Sequence, residues 1–406
     1  MSGKWPGGFI NKTAPTVVGP VDGEGGSASG VWTLDQVADY EKQGLWPKPV
    51  LNKELYAWGN NVHGQLGLGD TTSRSSPSQV GALITWATVV GSTNGYFAIG
   101  IKTDGTMWSW GQNTNGQLGL GDTTNRSSPV QVGALTSWYQ SAAAFQSGAA
   151  IKTDGTLWTW GENSVGTLGL NNTTSGIYSP IQVGALTNWA KIASGGYHYL
   201  AIKTDGTLWA WGYNNYGQLG QGNTTNYSSP VQVGALTTWL QAAAGYFHTL
   251  AVKTDGTLWG WGAGLNGRTG HNNTTNYSSP VQVGGLTNWL TISAGIYTGF
   301  SVKTDGTFWT WGYNAQGVLG QGDTTSRSSP VQVGALTNWL QAAAGYQFCI
   351  ATKTDGSLWA WGANSHGQLG TSNTTTRSSP VQVGALDGWK SAVGCGFNSA
   401  FAILKS

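Results

Sequence analysis

The side chains in this sequence that could do chemistry are few, and most recur in register with one another. Five histidines stand at His63, His198, His248, His271 and His366. His63 and His366 share one position of a repeated pattern, and His198 and His248 share another. Such copies fall on separate structural units and do not converge on one metal ion. Six aspartates (Asp104, Asp154, Asp205, Asp255, Asp305 and Asp355) lie in Lys-Thr-Asp-Gly segments, where Asp is the ordinary turn residue. Serine and threonine abound, but no Gly-x-Ser-x-Gly elbow stands beside a helix, and no Ser, His and Asp set differs from its copies. The stretch GQLGLGD (64–70) lacks the Lys-Ser/Thr ending and following helix of a phosphate cradle. Cys349 and Cys395 have no metal-ligand spacing. The expectation is a protein without catalytic residues, metal or cofactor.

The elements that carry these residues are repeats. The second Trp of an LWxWG block falls at Trp58, Trp110, Trp160, Trp211, Trp261, Trp311 and Trp361, seven copies spaced 50 to 52 residues apart. Another Trp follows each Leu-Thr turn, from Trp86 to Trp389, and 20 of the 23 tryptophans belong to the repeat, so they are architectural first. LAIKTDGTLWAWG (200–212) reads as two strands around Asp205-Gly206, a dipeptide suited to a type I′ hairpin. Trp209 and Trp211 share one strand face. SSPVQVGAL (228–236) reads as a further strand with Pro230 at an edge, and WLQAAAGYFHTLAV (239–252) as a tightly packed inner strand leading into the next hairpin. A unit of about 50 residues with four short strands cannot bury both faces alone. Seven arranged radially can, which predicts an all-β, seven-bladed β-propeller over 51–406. LNKELYAWG (51–59) and NSAFAILKS (398–406) supply complementary halves of one hairpin, so both termini close one blade and remove the open edges.

Composition excludes several function classes. Charged residues make up 9% of the chain and the net charge is +2, giving no electrostatic basis for nucleic-acid binding. No run of 18 apolar residues and no apolar signal region is present, so neither a membrane span nor a cleaved leader is expected. Asn-x-Thr sites such as Asn223 and Asn373 read as loop chemistry.

AAAGYFHTLAV (242–252), GYNNYGQLGQG (212–222) and GNNVHGQLGLG (59–69) resemble the RCC1 family, the regulator of chromosome condensation repeats, in its Gly-x-x-His and Gly-x-Asn-x-x-Gly-Gln-Leu-Gly signatures. The resemblance covers 51–406 and implies the seven-bladed propeller. The family's nucleotide-exchange members use blade insertions and a basic tail. Here the copies are compact, and the His position of His198 and His248 holds Thr298, Phe348 and Asn398 elsewhere, so no exchange residue is carried over. PGGFINKTAP followed by GVWTLDQVADYEKQGLWP resembles the N-terminal region of tailed-phage structural proteins.

Near-identical copies make the differing positions visible. Before the Ser-Pro strand stand Arg74, Arg126, Tyr227, Tyr277, Arg327 and Arg377, with Tyr178 near the same place. This suggests a two-sided rim whose aromatic sector could stack on a sugar or a partner protein; the alternative is drift among duplicated loops. A second set (Phe145, Tyr197, His198, Tyr246, Phe247, Tyr297, Tyr346 and Phe397) either lines the mouth of the axial channel or fills the core. Residues 1–50 read as an attachment arm. Thr33 and Gln36 form a capping box and Trp32 staples against Val37, giving a helix over about 33–43 that is too short to stand alone in water. Trp5, Phe9, Ile10, Trp32, Leu34, Val37, Tyr40 and Trp46 are the residues expected to dock it. The resulting expectation is a virion protein such as a phage tail fibre, appendage or capsid-surface component. Residues 1–47 would bind other virion proteins or copies of the same chain, and the propeller would meet a host glycan or protein. The alternatives are an extracellular or cell-surface lectin exported without a signal peptide, and an intracellular interaction scaffold.

Overall fold

The computed structural model describes residues 52–405 apart from 83–84, 93–94 and 390, together with a ladder pairing Val17–Val18 with Ser27–Ala28. The chain divides into Met1–Asn52 and Lys53–Ser406. The expected helix near 33–43 and the eight arm residues named above lie outside the described residues.

Lys53–Lys405 forms seven antiparallel four-stranded sheets. In blade 4 the order is Trp189–Ser194, His198–Lys203, Leu208–Gly212 and Tyr227–Gln232, each strand hydrogen-bonded to the next. First strands of successive blades touch one another around a complete circle, with Ser391–Cys395 meeting Trp86–Gly91, so the first strand is the inner one. The SSPVQ segment is the outer edge strand and ends at Gln232, where Pro230 leaves no ladder bond unmade. Blade 1 is closed by both ends of the described propeller: Lys53–Gly59 pairs with Ser399–Lys405 from Lys53↔Lys405 to Gly59↔Ser399.

The three tryptophans of a copy do different work. The second Trp of each LWxWG block is fully buried between blades, and its indole N–H donates to a loop carbonyl of the preceding blade. Trp110 reaches Gln65 at 2.9 Å, Trp211 reaches Thr167 at 2.9 Å, and Trp58 closes the circle on Gln368 at 2.9 Å. The accepting loop is GQLG in four blades and GTLG, GRTG or GVLG in the other three. Its second glycine is needed twice over: Gly220 has φ +71°, and a Cβ there would lie 2.9 Å from Trp261 Nε1. The first Trp of the block belongs to the hairpin turn. Asp205 Oδ1 accepts from the Thr207 N–H and hydroxyl, Thr207 Oγ1 accepts from Trp209 Nε1 at 2.9 Å, and Lys203 Nζ lies 3.6 Å from the Trp209 ring centroid. The third Trp opens the inner strand and stands edge-on to the first, as in Trp189 with Trp209 at 6.0 Å and 82°.

The turn differs from the type I′ hairpin expected at Asp205-Gly206. The Gly206 N–H bonds to the Lys203 carbonyl and the Lys203 N–H to the Thr207 carbonyl, and among the turn residues Gly206 is the one with positive φ. This is a type I turn followed by a left-handed glycine. Asp205 stays in the right-handed region because its carboxylate is occupied with Thr207. Removing the interblade wedge by Trp211→Ala is expected to cost about 3–5 kcal/mol. Equilibrium urea denaturation of the full chain measures it.

Candidate functional site

The rim residues singled out by sequence are tied into their own loops. Arg74, Arg126 and Arg327 each bond at 2.6 Å to the aspartate four residues earlier, Asp70, Asp122 and Asp323. Where the arginine becomes tyrosine the aspartate becomes asparagine: Asn223 Nδ2 donates to the Tyr227 hydroxyl at 3.0 Å and Asn273 Nδ2 to Tyr277 at 2.9 Å. In blades 4 and 5 the two residues change together, which preserves a local bond. Arg377 follows Asn373 and forms no ion pair among the described residues. The extra residue in blade 3 shifts the register, placing Ile177 opposite Gly161 where blade 4 has Tyr227 opposite Gly212. Tyr178 therefore occupies the serine position and packs over Gly116 of blade 2.

The histidine position is also structural. His198 and His248 are fully buried, and Gly195 and Gly245 leave the space their rings use: a Cβ would lie 2.3 Å from His198 Cε1 and 2.0 Å from His248 Cε1. In blade 1 the equivalent residue is Ser399 rather than Asn398, since Ser399 is the residue paired with Gly59. Thr249 donates its proton to the Gln218 carbonyl at 2.8 Å, so the proton shared with His198 Nε2 at 3.2 Å belongs to the imidazole. Burial lowers the His198 pKa to about 3 and also lowers that of His248. Cys349 and Cys395 are free and buried, their thiol pKa values raised by desolvation. Among the described residues no three His, Cys, Asp or Glu side chains are grouped to hold a metal, and no helix is long and apolar enough to cross a membrane.

What the tertiary structure does bring together is an aromatic face. Turns between inner and second strands lie at the same end of the ring as the GQLG loops, because strands in a four-stranded meander alternate direction. Apart from buried His198, the second variable set is half-buried here. The rings touch across blades: Phe145 with Tyr197 at 5.4 Å, Tyr197 with Tyr246 at 5.7 Å, Tyr346 with Phe397 at 4.5 Å. Three residues not singled out from sequence join them. Tyr213 packs on Phe247 at 5.5 Å, Tyr216 on Phe247 at 4.8 Å, and Tyr313 on Tyr297 at 5.9 Å. The signal was available, because the Tyr213 position holds Asn60, Gln112, Glu162, Ala263 and Ala363 in other copies. Glycines accommodate the rings, as Gly196 does for Tyr246.

Comparison with known proteins agrees with this architecture. The regulator of chromosome condensation (RCC1) repeat matches seven times, at residues 53–98, 104–150, 154–202, 205–252, 255–302, 305–352 and 355–403. The chain belongs to the RCC1 repeat family. Among relatives of this RCC1-repeat chain, the Ultraviolet-B receptor UVR8 of Arabidopsis thaliana is 32% identical over 185 residues, 43% of this chain and 40% of the receptor. The probable E3 ubiquitin-protein ligase HERC3 of Homo sapiens is 30% identical over 178 residues, 43% of this chain and 17% of the ligase. The chain thus matches less than half the length of either. Human WBSCR16 superimposes with TM-score 0.78 at 21% identity, covering 87% of this chain and 99% of that one. Yeast RCC1 (Prp20), solved bound to Kap60, gives 0.77 at 20% identity, covering 88% and 90%. These likenesses show the fold.

Burial of His198 carries a pH consequence. Its folded pKa lies below the unfolded value near 6.5, so the stabilisation is complete above pH 6.5 and falls away as the pH drops toward 3. Relative to His198→Phe, for which Phe348 is the precedent in blade 7, the wild-type chain is expected to lose on the order of 3 kcal/mol between pH 7.5 and pH 4. Urea midpoints at the two pH values measure the difference.

Proposed function

We propose that this chain is a non-enzymatic binding propeller that holds a protein partner on its aromatic face. The observation that carries the reading is the run of half-buried rings across blades 3 to 5, centred on Tyr197, Tyr213, Tyr246 and Phe247. Tyrosine offers a large contact area for two side-chain torsions, and its hydroxyl accepts wet or polar partners, which is why it is enriched at binding hot spots. Protein binding by relatives supports the same reading: yeast RCC1 (Prp20) was solved with Kap60, and Prp20p of Saccharomyces cerevisiae is described with binding properties to Gsp1p and histones.

Residues 1–47 enter this proposal as the attachment segment, docking the propeller onto other proteins of a phage particle or onto further copies of the chain. The support is their resemblance to tailed-phage structural proteins and their division from the propeller at residue 52. A virion location follows from that reading, with a secreted or cell-surface location as the alternative.

Site-directed photocrosslinking of the full chain in its native organism or particle tests the face. A crosslinker at Tyr216 is expected to capture a second polypeptide, and one at Thr204, in a hairpin turn at the other end of the ring, is not. The triple change Tyr213→Ala, Tyr216→Ala and Phe247→Ala should lower capture from a crosslinker at Tyr246 about tenfold or more with the circular dichroism unchanged. Equal capture from both ends of the ring would remove the reading.

A further inference from the structure

Blade 5 departs from its sister blades at one loop. In the other six blades a buried asparagine, such as Asn214, ties the loop together: its Nδ2 donates to the Asn223 and Thr225 carbonyls, and its Oδ1 accepts from the Leu219 N–H. Blade 5 has Gly264 at that place, and Arg268 where four blades have Gln65, Gln117, Gln218 and Gln368. Arg268 is 3% exposed. Its Nε donates to the Leu265 carbonyl at 2.8 Å, and its guanidinium carbon lies 4.8 Å from the Tyr297 ring centroid. Its Nη atoms make no hydrogen bond to a described residue, and it takes no part in the ion pairs, which belong to Arg74, Arg126 and Arg327. The titratable groups around it are Tyr297, Tyr216 and the buried His248. Desolvation without a carboxylate lowers its pKa to about 10.

A buried cation without a counter-charge is costly, and neutral residues fill the same place in the other six blades. We infer that Arg268, framed by Tyr216 and Tyr297, is an acceptor for a carboxylate side chain presented by the protein partner. A planar guanidinium whose two Nη atoms bond to no described residue matches a carboxylate fork, and the low-polarity surroundings strengthen the pairing. The inference rests on the aromatic face being the docking surface, and names the chemistry that face selects: an acidic residue reaching in between blades 4 and 6.

The test uses acetate as the probe. At pH 7 and matched ionic strength, a few hundred millimolar sodium acetate should raise the melting temperature of the full chain about 1–2 °C more than sodium chloride does. Arg268→Gln, the residue of four sister blades, should abolish that difference. Arg268→Lys, which keeps the charge and loses the fork, should retain less than half of it and serves the same comparison if the glutamine variant does not fold. No acetate-specific rise in the wild type, or the same rise in Arg268→Gln, would overturn the proposal. Crosslinking from Tyr246 separates the two readings. Capture abolished by the aromatic changes but unaffected by Arg268→Gln leaves the face standing and removes the carboxylate acceptor.

Discussion

One hydrogen bond repeated around the ring governs this structure: the indole N–H of each blade's buried tryptophan donating to a carbonyl in the Gly-x-x-Gly loop of the blade before it. Seven such bonds, from Trp58 on Gln368 to Trp361 on Val318, join every blade to its neighbour. Each is sealed from water, so an unmade bond would leave a buried donor orphaned. The large ring supplies the apolar area, and the N–H sets how that ring is rotated. Closure uses the same bond, since Trp58 of blade 1, the blade shared by the two ends of the described propeller, donates to Gln368 of blade 7.

The clamp uses backbone carbonyls, and this frees side chains on the same loops. Arg268 shows the division. Its carbonyl accepts from Trp311 at 3.0 Å just as its counterparts do, while its side chain has taken on a character no sister blade shares. The loop can change chemistry without disturbing the ring. The same end of the propeller therefore holds both the buried interblade indole bonds and the variable aromatic surface, a platform on which binding groups can diverge.

Much of the architecture was legible from sequence. The Trp spacing gave seven units, and the half-hairpins at 51–59 and 398–406 predicted the closing strand pair. The errors are local and have physical causes. The Asp-Gly turn adopted another geometry because Asp205 bonds to Thr207 in preference to taking a positive φ. Tyr178, expected near the arginine position, lies one residue beyond it because blade 3 carries an extra residue. The histidine-position residue in blade 1 proved to be Ser399 because strand register, not the spacing of nearby motifs, decides which side chain enters the core. Asp70 with Arg74 and Asn223 with Tyr227 stood four residues apart in plain view, but their exchange became meaningful once the atoms were seen bonded.

The sequence by itself determined the period, the strand alternation and the turn residues, since these depend on contacts within about 50 residues. It therefore determined a closed propeller. The tertiary structure alone decided which variable side chains share a surface. Tyr197, Tyr213, Tyr246 and Phe247 come from different turns and loops of two blades, and Arg268 from the next loop around the ring. Their meeting depends on the direction of each strand and the angle between blades. Those angles are fixed where neighbouring blades pack and the indole bonds form, so the aromatic face exists only once the blades have assembled.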